Sequence, residues 1–445
     1  MYVIAYKNVY SGGSSELVWE TYTNLKNLQF APESDVTGNS LTVNQFSVDI
    51  ITTDDMSEWQ YCELMDDMNQ RWAYYDVRKA ERIDPSTVRF VAQSRLYRLD
   101  AIEMEETVYV GATASTVVAA CFGGNTGWYA LHSTLRNIEI DGYCPTQTGR
   151  ERLLWVCLAI GAYVRDLYAD VIQIRPVDET ETLIPYETTF ARPAIEYGNW
   201  VTGVRVTAYT FTQGTEAQWQ ASDSSYKFPL PWVATEQTVE LSNPYAPEDA
   251  DENVVEISEV YLINSTNASD ICSRLARCWF RRETVQVDCI NNRAYRTGDL
   301  LTGYVDSEHM VTGFAASIAF KFGKQARSTI KLVGCDTTPS ASLTVKYKYG
   351  NKNLGSARYR FPLGFEYSIQ NPYLDQSKDG HKYIYRPTTE TITGTMPSID
   401  PTGNGFTVTV EYAVAVDAYQ GIVKIINVDE ITEKTEGATV VGVIA

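Results

Sequence analysis

Apolar and polar residues alternate with a period of two through most of this chain. Phe46, Val48 and Ile50 alternate with polar neighbours, as do Val204 and Val206, and then Val285, Val287 and Cys289. The longest run is Phe314, Ala316, Ile318, Phe320 and Phe322, and two more, Leu343 to Tyr349 and Phe406 to Val414, lie near the end. A period of two puts every second side chain on one face of a half-buried strand. Turn residues punctuate the pattern at Asn291-Asn292, Thr297-Gly298-Asp299, Gly350-Asn351 and Gly403-Asn404-Gly405. Antiparallel sheets or barrels are the architecture this predicts.

Helical spacing is confined to short stretches. Thr148 and Glu151 form a capping box, after which Leu153, Val156, Cys157, Ile160, Val164 and Leu167 repeat at helical spacing. This predicts a helix that Asp170 ends before the strand VIQIRPV. A second helix is expected from Asp270 to Phe280, capped by Ser269, with Ile271, Leu275 and Cys278 inward. A third runs from Ala114 to Phe122 and stops at Gly123-Gly124. The elements divide the chain into four parts: a strand-rich 1–110, an α/β insertion over 111–192, a second strand-rich region over 193–335 and a β module over 336–445.

Composition refines this picture. A chain of 445 residues exceeds one compact core. Thirty Tyr against 14 Phe supplies rings with a polar tip, suited to strands with one wet face and to subunit contacts. The net charge of -19 disfavours general phosphate binding; the acidity is spread along the chain, with the first part contributing the largest share. The start MYVIAYKNVYSGG lacks the pattern of a signal peptide, and the longest apolar run, Leu153 to Val164, is shorter than the roughly 18 residues of a membrane span, so cytoplasmic synthesis without a membrane anchor is expected. Eight cysteines without a CxxC pair are expected to be reduced and mostly buried.

No catalytic, cofactor-binding or metal-binding residues emerge. His132, His309 and His381 stand alone, which makes them structural. Asp249, Asp251 and Asn253 alternate as in a calcium loop, but Val254 and Val260 occupy the positions of the required Gly and Glu. One local feature is cationic: Arg274, Arg277 and Arg281 fall at i, i+3 and i+7 of the second predicted helix, opposite Ile271 and Leu275. Two readings stand side by side, a solvated face and a subunit interface that pairs with acidic surface through guanidinium forks.

Three stretches carry a family resemblance: IEIDGYCPTQTGRERLLWVCLAIGAYVRD, VIQIRPVDETETLIPYETTFARPAIEYGNWVTGVRVTAYTF and INNRAYRTGDLLTGYVDSEHMVTGFAASIAFKFGKQARSTIKLVG. Together they cover about residues 110–335 and resemble the tail hub proteins of bacteriophages and phage-tail-like particles, often called tail-associated, baseplate hub-like or prophage endopeptidase-type tail proteins. The resemblance implies a mainly β fold with a small α/β insertion, two β-barrel hub domains over 1–110 and 193–335, and a C-terminal β-sandwich-like module. It further implies a structural, non-enzymatic protein at the distal end of a virion tail. There a homotrimer would close the tail tube as a ring that passes tape measure protein and then DNA. The implied neighbours are the tail tube or distal tail protein, the tape measure protein and a tail fibre or spike. The chain departs from relatives that continue into a peptidoglycan hydrolase or a long fibre. Its last part has the texture of an adhesin, so the alternative is a receptor- or carbohydrate-binding tail adhesin in which Tyr367, Tyr373 and Tyr383 stack on sugars.

Overall fold

A computed structural model describes the chain except for residues 12–13, 178–179, 191, 216–227, 230, 306–308, 323–325, 350–351, 371–374, 380–381, 387–390, 397–405, 417–422, 426–427, 435–438 and 445. The chain is mainly strand, with few helices. It divides into two compact units: one holds residues 1–182, 194–301 and 313–335, the other 183–193, 302–312 and 336–445.

The first unit opens with strands β1 (Tyr2–Ser11), β2 (Ser14–Tyr22), β3 (Leu25–Phe30), β4 (Gln45–Ile51), β5 (Tyr61–Met65), β6 (Arg71–Asp84) and β7 (Thr87–Gln93). They pair antiparallel in the order β2-β1-β5-β6-β7-β4-β3, and Phe30 of β3 pairs with Phe320 of the strand His309–Lys321. Alternation sends Val3, Ala5, Phe46, Val48, Ile50, Leu64, Tyr75 and Phe90 to the buried face. There Phe46 stacks on Tyr75 at 6.0 Å between ring centres, and Phe30 meets both edge-on. Barrels are expected from the sequence, yet no sheet closes on itself among the described residues.

Residues 107–176 mix short strands with two helices. Helix Ala114–Cys121 ends at Gly123 and Gly124, both at positive φ, and packs on helix Gly149–Ile160. The capping box forms: Thr148 N donates to Glu151 Oε2 at 2.8 Å, and Glu151 N donates to Thr148 Oγ1 at 3.3 Å. The helix is shorter than its periodicity suggests. Gly161, at φ 71°, forms a left-handed cap whose N–H donates to Cys157 O, and Ala162–Arg165 then pairs as a strand with Ile172–Pro176. Val164 therefore lies on a strand and Leu167 beyond it. The spacing misleads because residues four apart share a face both in a helix and in a strand.

Polar links from this strand run through the interior. Ser34 Oγ donates to Val164 O at 2.9 Å, Asn44 Nδ2 donates to the buried Asp166 at 2.8 Å, and Arg165 pairs with Asp299 at 2.8 Å. Tyr168 holds a positive φ of 62°, its ring edge-on to Trp72.

Strand Gly203–Gln213 pairs antiparallel with Trp232–Ser242 and parallel with Val254–Ile257. Val204 and Val206 on it pack against Ile271, Cys272 and Leu275 of the helix Ala268–Trp279. The N-cap of this helix is Asn267, two residues before Ser269. The Asn267 side chain accepts from Asn264 N at 2.8 Å and donates to Leu262 O at 3.0 Å, which fixes the entry to the helix. The strand Ala194–Tyr197 pairs with Glu283–Ile290, which pairs in turn with residues 327–332.

In the second unit, residues 340–349 pair antiparallel with Lys352–Pro362 and parallel with Phe406–Val416. Glu366–Gln370 pairs with Thr391–Thr395, and Asp375–Asp379 with Lys382–Arg386. Leu343, Val345, Phe361, Tyr367, Ile369, Val408 and Val410 are buried there.

Candidate functional site

The cationic helix builds a site by dividing its arginines between two jobs. Arg274 turns inward. Its Nε donates to Thr37 O at 3.1 Å and its Nη2 to Leu158 O at 2.6 Å, so it caps the last turn of helix Gly149–Ile160, where carbonyls lack intrahelical partners and the dipole is negative. A side chain at Gly161 would sit 2.9 Å from this guanidinium, so the glycine serves both the left-handed cap and the arginine. Burial lowers the Arg274 pKa from its ordinary value.

The other cations lie over aromatic rings. Arg277 stands 5.7 Å from the centre of Phe314, and Arg281 stands 3.5 Å from that of Tyr245. Arg282, immediately past the helix, lies 5.0 Å from Tyr197 and 4.7 Å from Trp200, and its Nε is buried without a hydrogen-bond partner among the described residues. Asn253 orders the neighbouring turn by donating from Nδ2 to Trp200 O at 2.8 Å and from its N–H to Thr202 Oγ1 at 2.9 Å. Asn253, the residue that suggested a calcium loop, thus pins this turn.

Of these groups, Asn253, Arg281, Arg282 and Phe314 line a cleft of about 710 Å³ in the first unit. Its walls include residues 33–37, Gly198, Trp279, Arg281, Arg282 and Lys331. Trp279 is 43% exposed and Tyr197 61% exposed. Arg281, Arg282 and Trp279 in the recess are residue types enriched at interface cores. The stripe foreseen on the helix therefore separates: Arg274 is committed to the interior, while Arg281 and Arg282 face the cleft. Tyr197, Trp200, Tyr245 and Trp279 went unforeseen because they are scattered in sequence; the one local signal is the run Tyr197-Gly198-Asn199-Trp200, two aromatics across a turn.

The aromatics of the last part fare differently. Tyr367 is 7% exposed and stacks on Phe361 at 5.6 Å, its ring packed against Gly394. Its faces are taken up by the interior. Tyr383 lies on the strand Lys382–Arg386, with its side chain outside the described residues, and Tyr373 lies outside them altogether.

His132 shares a hydrogen bond with Thr134 Oγ1 at 2.8 Å and accepts from Thr134 N, a local turn role. His381 lies outside the described residues. All eight cysteines are buried, and burial pushes the thiols of Cys144, Cys157, Cys278 and Cys289 up to about 12. Among the described residues no group of His, Cys, Asp and Glu is placed to hold a metal ion, and no helix is long and apolar enough to cross a membrane.

No protein-family model matches this chain, and no curated protein matches it. Solved structures do. The chain is similar to a tail protein from Neisseria meningitidis MC58, with TM-score 0.49 and 11% identity, over 75% of this chain and 96% of that one. It is similar to a tail protein of prophage MuSo2 from Shewanella oneidensis (TM-score 0.46, 11% identity, 74% and 98% coverage). A third is a prophage tail protein from Listeria monocytogenes EGD-e (TM-score 0.47, 12% identity, 75% and 94% coverage). These structural neighbours are phage and prophage tail proteins.

Proposed function

We propose that the chain is a structural, non-enzymatic subunit of a phage or phage-like tail: a hub at the distal end that assembles as a trimeric ring and lets tape measure protein and then DNA through. The observation that carries this reading is an open sheet with exposed apolar edges. Among the described residues, β2 pairs only with β1, and Ala194–Tyr197 pairs only with Glu283–Ile290. Leu17, Trp19, Ile195 and Tyr197 on these strands are exposed. An exposed apolar edge is a template for another strand, and a soluble assembly satisfies it by association.

The likeness of 110–335 to tail hub proteins supports this assembly. The net charge of -19 supports a lumen along which DNA slides by like-charge repulsion. On this reading the parts 1–110 and 193–335 are the two hub domains, whose open sheets are completed by neighbouring copies, 111–192 is the insertion, and 336–445 is a module that holds a fibre or glycan. Arg277 and Arg281 then meet acidic surface of a neighbouring subunit. Negative-stain electron microscopy of the purified protein, with its native mass, tests the proposal. A threefold ring with a central channel is expected, and a stable monomer at micromolar concentration overturns it.

A further inference from the structure

We infer that β2 of one copy adds to the strand Ala194–Tyr197 of the next, so that copies join head to tail through a continuous sheet. This rests on the ring reading above and names the surfaces that make the ring. Each strand has one bonded neighbour among the described residues, so each presents a row of backbone donors and acceptors to solvent. Each also carries exposed apolar side chains: Trp19 is 62% exposed and Tyr197 61%. The two strands are different surfaces of one chain, which makes the contact heterologous, and heterologous contacts close into rings when the rotation between copies permits.

Charge selects this pairing over others. The period of two puts Glu16 and Glu20 on one face of β2. Beside the receiving strand, Arg282 lies over Tyr197; Lys331 lies two strands further in, in register with Gln286, whose own partner is Ala194. The Arg282 Nε is buried without a hydrogen-bond partner among the described residues. In a chain of net charge -19, the carboxylates of β2 and the cations Arg282 and Lys331 attract across this contact, alongside the receiving strand's own Glu196.

The experiment compares native mass over a dilution series for the full chain and three variants. Glu16→Arg with Glu20→Arg, and separately Arg282→Glu with Lys331→Glu, should each raise the concentration at which half the chains are monomeric by about tenfold or more. Combining all four substitutions should return it toward the wild-type value. A wild-type monomer would overturn the ring and the strand pairing together. A wild-type oligomer that survives both double reversals would overturn the pairing alone and leave the ring in place. If either double variant loses its circular-dichroism spectrum, oxidative cross-linking of Trp19→Cys combined with Ile195→Cys decides the matter. A covalent ladder between copies is expected, and its absence from an intact oligomer sinks the pairing.

Discussion

Arg274 shows how one side chain can join two helices. It satisfies Leu158 O, a carbonyl the helix Gly149–Ile160 cannot satisfy itself, and Thr37 O from a different segment. Arg274→Ala leaves both without this donor and should cost about 2–3 kcal/mol in denaturant unfolding. Arg274→Lys should recover only part, because an ammonium cannot span two carbonyls as a planar fork does. Asp166 is a second buried charge. Burial raises its pKa, against hydrogen bonds from Ser94, Asn44 and Tyr75 that favour the ionised form. With the folded pKa above the unfolded one, its contribution to stability is present below the unfolded pKa and is lost as pH rises through the folded one. Wild type should therefore gain stability relative to Asp166→Asn as pH falls from 7 to 4; a difference independent of pH would contradict this. The cysteines make a third residue-scale case. Their buried thiols should not react with an aromatic disulfide reagent in the native state, and all eight should react on denaturation.

At the scale of elements, the capping box and the paired glycines after Ala114–Cys121 were legible because caps are local chemistry. Thr148→Ala should cost about 1 kcal/mol, and Gly161→Ala a comparable amount or more, since φ is positive and the Arg274 guanidinium stands in the way. Thermal unfolding of the two variants checks both. The far end of that helix was not legible, because Ile160 and Val164 satisfy both periodicities and only the left-handed Gly161 separates helix from strand. The start of Ala268–Trp279 also differed. Ser269 has the chemistry of a cap, but Asn267, tied to Asn264 and Leu262, comes first. Alternation placed the buried faces of β4, of Gly203–Gln213 and of Glu283–Ile290 correctly, since burial on one side of a sheet demands it.

For the whole molecule, a cut at 335 looks clean in sequence and is not clean in space. The second unit takes in residues 183–193 and 302–312 as well as 336–445. Ile184 N donates to Thr302 O at 2.8 Å, and the Tyr186 ring lies edge-on to Tyr304 at 5.4 Å. Deleting 336–445 should therefore leave these two segments without most of their unit, lowering the yield of soluble protein and the thermal midpoint. A truncated chain as soluble and as stable as the full one would show that 183–193 and 302–312 fold without the module. Within the hub reading, any ring formed by the truncated chain is to be judged against that loss of stability.

The sequence by itself determined the strand-rich class, the faces of the main strands, and the helix that follows the capping box at Thr148. Each follows from short-range periodicity or from the chemistry of adjacent residues. Only the tertiary structure decided which arginine is spent inside, that Tyr367 is a core residue, that no sheet closes among the described residues, and that Arg282 is bracketed by Tyr197 and Trp200. Those facts depend on contacts between distant segments. A period says which side of a strand is buried but not which strand lies beside it, and an arginine on a helix surface is interior or exposed according to what the rest of the chain brings against it.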